Sequence, residues 1–258
     1  MERKIPLCAA MLLYPLLIAA FVAPNTYTLR AQQPNLSPTA QLGGSVAVNL
    51  SIPKVEYLSP LESEIIAEMN LARSQPQVYA SYLEEIRKYY SGNQFRYPGR
   101  EAEVTVEGLS AVEEAIKFLR SASPLPPLQV YKGMSMAAKD HATYLGTSGN
   151  TGHKGGDGST PNVRISRYGD WANSIGENIV YQATTTAREA VMGLIVDDGI
   201  DGRGHRKNIF DSTYRAAGIS LGTRSSQGTL CVITFAGGFM DKSGAAATPA
   251  KKLAARQY

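Results

Sequence analysis

The chain has 258 residues, of which 43% are hydrophobic and 19% charged, a composition typical of a folded globular protein. Two cysteines exclude a disulfide-stapled scaffold, and three histidines leave few side chains for metal or acid–base chemistry. The formal net charge of +4 comes from the two ends of the chain, residues 1–32 and 241–258. The sequence between them is nearly neutral, which argues against the phosphate neutralisation that nucleic-acid binding requires.

The N-terminus has the pattern of a secretory signal peptide. Arg3 and Lys4 precede an apolar run over residues 5–23, and small residues near its end and near Ala31 are candidate cleavage sites. Two prolines interrupt the run, so a membrane-spanning anchor is the less favoured alternative. We assign residues 1–31 to the signal peptide and expect a secreted or periplasmic protein.

The remaining chain divides by composition into a linker, one domain and a tail. Residues 32–58 are rich in Pro, Gln, Asn, Ser and Thr, as flexible linkers are, and residues 241–258 predict a disordered tail. Residues 59–240 are enough for one domain with a single core. Once the signal peptide is removed, Cys231 is the only cysteine left, so the domain depends on packing rather than on a disulfide.

Capping patterns predict the helices of this domain. Ser59-Pro60-Leu61-Glu62 is a capping box with proline at the first helical position. Four more predicted helices begin near Ser74, Ser110, Lys132 and Thr186. Two β-rich runs, 216–221 and 229–236, flank a turn and predict a hairpin. Because helices precede an antiparallel pair, the order favours an α+β fold over a doubly wound parallel sheet.

Several common catalytic signatures are absent from the sequence. It contains neither the His-Glu-x-x-His motif of zinc proteases nor the Gly-x-Ser-x-Gly elbow of serine hydrolases. The segment 197–202 begins like a calcium loop, but Gly199 takes its third position and Asn208 its twelfth, where the loop needs glutamate.

A few polar residues lie in unusual surroundings and are the candidates for a site. His153 and His205 each follow a glycine, which lets the backbone approach a site closely, and Glu177 lies between apolar neighbours. Asp197 and Asp198 end the last predicted helix. These residues alone leave two interpretations open: the candidates share one site, or the two histidines are unrelated and lie on the surface. His141, on the fourth predicted helix, is interpreted as a packed helix residue and not as a ligand.

The motifs, in this order and spacing, resemble the CAP superfamily: cysteine-rich secretory proteins, antigen 5 proteins and pathogenesis-related 1 proteins, also called SCP-like extracellular domains. Gly176-Glu177-Asn178 matches the central motif of the family, and residues 204–209 match the bacterial form of its second histidine motif. Residues 70–73, Asn-Leu-Ala-Arg, match its usual opening. The resemblance extends over residues 61–239. The scarcity of cysteine favours a bacterial-type member.

The resemblance implies a three-layer α-β-α sandwich with a central, mainly antiparallel sheet. It also implies a cleft in which two histidines and two acidic residues converge. His153 matches the first histidine, Glu177 the glutamate of the central motif, and His205 the second histidine. Counting along the family pattern places the second acid at Asp197, whereas helical periodicity favours Asp198, and both remain candidates.

Such a set of side chains permits two functions. Two neutral imidazoles can bind Zn²⁺ or another divalent cation, and nearby carboxylates can orient them. The family is also associated with lipid binding and extracellular signalling. We favour a secreted, monomeric binding module for an unknown lipid, peptide or cell-surface ligand, without nucleic-acid partners or a membrane span after signal removal. The alternative is a metal-assisted hydrolase, such as a peptidase, with Glu177 as general base.

Overall fold

The computed structural model describes residues 55–181, 186–224 and 228–242. The predicted signal peptide, most of the predicted linker and nearly all of the predicted tail lie outside these ranges. The described residues form helices α1 (Pro60–Ser74), α2 (Pro76–Ile86), α3 (Leu109–Ser121), α4 (Lys132–Ser148), α5 (Pro161–Tyr168), α6 (Ala187–Val196) and α7 (Gly204–Ile209). The strands are β1 (Tyr90–Ser91), β2 (Gln94–Phe95), β3 (Glu103–Val104), β4 (Gln129–Val130), β5 (Gly169–Tyr181), β6 (Ala216–Arg224) and β7 (Gly228–Asp241). None of the described helices has the length and apolar character needed to cross a bilayer.

Two of the predicted helix starts are confirmed at the level of individual hydrogen bonds. The Ser59 hydroxyl accepts from the Glu62 backbone N–H at 3.3 Å, and the Glu62 carboxylate accepts from the Ser59 N–H at 2.7 Å. At α6 the Thr186 hydroxyl accepts from the Glu189 backbone N–H at 3.3 Å. The predicted cap at Ser74 is wrong, because α1 continues through this residue and its hydroxyl donates back to the Asn70 carbonyl.

A four-stranded sheet in the order β4-β6-β7-β5 forms the middle layer. β6 and β7 make the predicted antiparallel hairpin, with Leu221 opposite Cys231, and β5 pairs antiparallel with β7. Only the short β4 runs parallel to its neighbour. The sheet is therefore mainly antiparallel, as predicted. Strand β5 was not predicted from the sequence, because polar residues in its first half hide the alternation typical of a strand.

Helices cover both faces of this sheet, so the domain is the expected α-β-α sandwich. α4 packs on β6 and β7 with α5 beside it, whereas α7 packs on β5 and joins the layer of α1, α2, α3 and α6. The approach of α4 is so close that a Cβ added at Gly218 would lie 2.2 Å from the Met134 carbonyl carbon. Two buried clusters beneath α4 supply much of the core: Met134, Ala137, Ile165, Ala216, Ala236 and Phe239, and Ala138, Ala142, Leu145, Ile179, Leu230 and Val232.

Strand β7 runs one residue past residue 240, the predicted end of the domain. Asp241 is the last residue of β7 and pairs with Gly169, and its carboxylate accepts from the Gly133 N–H at 2.7 Å. The Lys242 N–H then donates to the Tyr168 carbonyl at 3.0 Å. These contacts tie the end of β7 to the starts of α4 and β5.

Candidate functional site

Glu177 occupies the middle of β5 and is the centre of the first half of the site. Its side chain is buried, and Oε1 lies 2.9 Å from Nδ1 of His153 while Oε2 accepts from Nη2 of Arg164 at 2.7 Å. A carboxylate would accept at this position from an Nδ1–H of His153, and a neutral ring in that tautomer would leave Nε2 as a lone-pair donor. The His153 side chain is 55% exposed, so this nitrogen belongs to a solvent-accessible imidazole.

His141 also lies against Glu177, which the sequence did not indicate. Its side chain is fully buried, with Nε2 at 2.8 Å from the Gly152 carbonyl and 3.8 Å from Oε1 of Glu177. Burial lowers the pKa of His141, although the Glu177 carboxylate opposes this shift. The packed position predicted for His141 is what the structure has, and its neutral ring forms part of the wall around Glu177.

Asp197 and His205 form the second half of the site. Helix α6 ends at Val196, and Asp197 follows in the left-handed conformation with φ of 56°. Its Oδ1 lies 2.6 Å from Nδ1 of His205, and its Oδ2 accepts from the His205 backbone N–H at 2.9 Å. Asp198 points elsewhere and accepts from the Val106 and Glu107 backbone N–H groups. Of the two acidic candidates, Asp197 is therefore the one that contacts the histidine.

The two halves meet through the residue after Glu177. The Asn178 side chain donates to the His205 carbonyl at 3.1 Å and accepts from the Asn208 amide at 2.8 Å, which holds α7 against β5. Gly176 allows this approach, since a Cβ there would lie 2.6 Å from the Tyr214 hydroxyl. Each residue of the Gly-Glu-Asn motif thus has a separate structural task.

The two histidine–carboxylate pairs suit a divalent cation in their geometry but not in the number of ligands they offer. Both histidines place Nδ1 on a carboxylate, the usual arrangement that orients a metal-binding imidazole. Among the described residues, however, no three His, Cys, Asp or Glu side chains cluster as a ready-made metal site. A cation here would rest on the two Nε2 atoms, with water or an external ligand completing its coordination. Neither oxygen of Glu177 is left without a partner, so the geometry gives no support to its predicted role as general base.

Two cavities lie near these residues. One, of about 430 Å³, is lined by His141, Arg164 and the glycine-rich loop at 155–156. The other, of about 590 Å³, is lined by Arg203, Arg206 and the acidic residues Glu107 and Glu114. In the second cavity the charges compensate one another, because both arginines pair with these glutamates at 2.6–3.0 Å.

The model of the cysteine-rich secretory protein family, CAP, matches residues 81–235. This chain belongs to the CAP family. The match runs from α2 to β7 and contains all five predicted site residues, whereas the opening motif at residues 70–73 lies before it. No functionally curated protein matches this CAP chain.

Two solved structures are similar to parts of the CAP chain. One is an extracellular protein with an SCP domain from Bacillus anthracis, at 19% identity and a TM-score of 0.35, over 48% of this chain and 38% of that protein. The other is an outer surface protein of Borrelia burgdorferi, at 19% identity and a TM-score of 0.37, over 50% of this chain and 89% of that protein. This chain thus spans well under half of the Bacillus protein.

Proposed function

We propose that this CAP domain is an extracellular binding module in which Nε2 of His153 and Nε2 of His205 together hold a divalent cation. The observation that carries the proposal is that each imidazole places Nδ1 within hydrogen-bond distance of its own buried carboxylate, at 2.9 Å and 2.6 Å. This arrangement selects the tautomer with a free Nε2 and raises the basicity of the ligand nitrogen. The bound cation would keep some of its water and would attract an anionic or carbonyl-bearing group of a peptide, lipid or cell-surface ligand.

Zinc titration by calorimetry on the full chain tests the cation site. Wild type should bind one Zn²⁺ per chain, and His153→Ala and His205→Ala should each lose most of the affinity because each removes one of two protein ligands. Asp198→Asn is the control, since this carboxylate accepts from the Val106 and Glu107 backbone N–H groups and points away from His205. Equal zinc affinity in wild type and His205→Ala would overturn the proposal. Hydrolysis of a peptide library by wild type, lost in His205→Ala, would favour the hydrolase instead.

Export of the protein is the second part of the proposal and rests on the N-terminal sequence. Arg3 and Lys4 followed by the apolar run to Ala23 support a cleaved signal peptide. N-terminal sequencing of the protein from its source cells should find a mature chain outside the cytoplasm that begins after residue 23. Cytoplasmic protein with an intact Met1 would contradict export.

A further inference from the structure

Arg164 is a buried cation that touches both partners of the first histidine–acid pair. Its side chain is only 2% exposed. Nη2 donates to Oε2 of Glu177 at 2.7 Å, and Nη1 donates to the backbone carbonyl of His153 at 3.1 Å. One planar guanidinium therefore positions both the Glu177 carboxylate and the backbone of His153, whose ring lies against that carboxylate.

The loop that carries His153 is built around this guanidinium. Nη1 also donates to the Ser159 carbonyl at 2.9 Å, and the Gly155 N–H donates to the same carbonyl at 2.8 Å. A Cβ added at Gly155 would lie 2.5 Å from Oγ of Ser159 and 3.5 Å from Nη1 of Arg164. The loop consequently closes on Arg164 with no space for a larger residue at Gly155.

Because Glu177 is buried, the positive charge beside it determines how its carboxylate is held. A carboxylate withdrawn from water needs a compensating charge, and the two candidates besides Arg164 are the adjacent imidazoles. His141 is a poor candidate because burial favours its neutral form. Without Arg164, the Glu177 carboxylate would be free to turn towards any other cation, including a bound metal.

We propose that Arg164 is the positioning residue of the His153 half of the site: it neutralises Glu177 and fixes it as the acceptor for Nδ1–H of His153, which leaves Nε2 outward. The cation-binding consequence rests on the function proposed above, whereas the tautomer of His153 does not. Glu177 then acts as a support for the imidazole and does not itself bind the cation.

Nitrogen-15 NMR of the histidine rings in metal-free protein tests the tautomer directly. Wild-type His153 should carry its proton on Nδ1. Arg164→Lys keeps the charge but cannot reach Glu177, His153 and Ser159 at once, so it should shift His153 towards the Nε2–H form. It should also weaken zinc binding by about 10–100-fold, the usual cost of losing an outer-shell partner. Arg167→Lys is the matched control, because Arg167 lies on the same helix and pairs with Asp140 and Asp157.

Two outcomes would overturn the inference. One is a folded Arg164→Lys protein with the wild-type His153 tautomer. The other is a wild-type protein whose His153 proton is on Nε2, a measurement that does not depend on whether any variant folds. Failure of wild type to bind zinc would instead remove the proposed function and leave the tautomer comparison valid.

Discussion

Asp197 holds His205 by two hydrogen bonds, one to the ring at 2.6 Å and one to the backbone N–H at 2.9 Å. The same carboxylate therefore orients the imidazole and occupies the start of α7. Asp197 can do this because it follows α6 in the left-handed conformation, which turns its side chain back towards the next helix. One residue couples the end of one helix to the beginning of another and to the candidate ligand.

Asp197→Asn should separate these roles. Asparagine adopts the left-handed conformation readily and can still accept from the His205 N–H, so the fold should be retained. The neutral amide orients the ring less firmly, so zinc affinity measured by calorimetry should fall about 10–100-fold. Asp198→Asn is the control, because that carboxylate contacts the 106–107 backbone and not His205. Equal losses of zinc affinity in Asp197→Asn and Asp198→Asn would show that the effect is not specific to His205.

The free energy of unfolding should decrease at low pH, because the Glu107 carboxylate becomes protonated there. Hydrogen bonds from the Arg203 guanidinium, and then from the Gly199 N–H, lower the pKa of Glu107 from 4.5 to about 2. Between these values the unfolded chain binds the proton and the folded protein does not, so the contribution is complete above pH 4.5 and is lost towards pH 2. Urea unfolding at several pH values should show a shallower acid dependence in Glu107→Gln. An identical dependence in both proteins would contradict this assignment.

Two glycines provide a matched test of the contact between α4 and the sheet. Gly218→Ala would place a Cβ 2.2–2.3 Å from backbone atoms of Met134 and Ser135, so we expect destabilisation of about 1–3 kcal/mol or more. Gly193→Ala lies in α6 with no atom within 4 Å of the new Cβ, and should stabilise by about 0.5–1 kcal/mol. Chemical unfolding of both variants gives the comparison. Similar free energies of unfolding would show that α4 shifts to accommodate the methyl group.

The domain boundary can be tested by truncation. A chain covering residues 55–242 should unfold in one cooperative thermal transition, since it contains every helix and strand described above. Ending the chain at 240 removes the Asp241 contact with Gly133 and the Lys242 contact with Tyr168, so its melting temperature should be lower. Equal melting temperatures would place the boundary where the sequence predicted it.

Local sequence patterns were sufficient to predict much of the fold. The capping box at Ser59 and the cap at Thr186 depend on atoms three residues apart, and the hairpin of β6 and β7 depends on a short connection. These interactions are encoded within a few residues, so the sequence displays them directly. Where the local signal was ambiguous it misled, as at Ser74, whose hydroxyl bonds within α1 instead of capping α2.

The residue types of the site were also visible in the sequence. Glycines before His153 and His205, and a carboxylate among the apolar residues around Glu177, singled them out before any contact was known. The choice between Asp197 and Asp198 was not visible, because adjacent residues at a helix end have the same composition signal. The left-handed backbone at Asp197 decides it, by turning one carboxylate to His205 and the other to the loop before α3.

Sequence alone thus predicted five of the helices, the final hairpin, the α+β class and the candidate histidines. Only the tertiary structure decided what surrounds Glu177. Arg164 and His141 come from two helices, α5 and α4, that no local pattern links to β5, and they reach the carboxylate only after the sandwich has packed. A buried charge is stabilised by whatever the rest of the fold places beside it, and that depends on long-range packing, which short-range periodicity does not record.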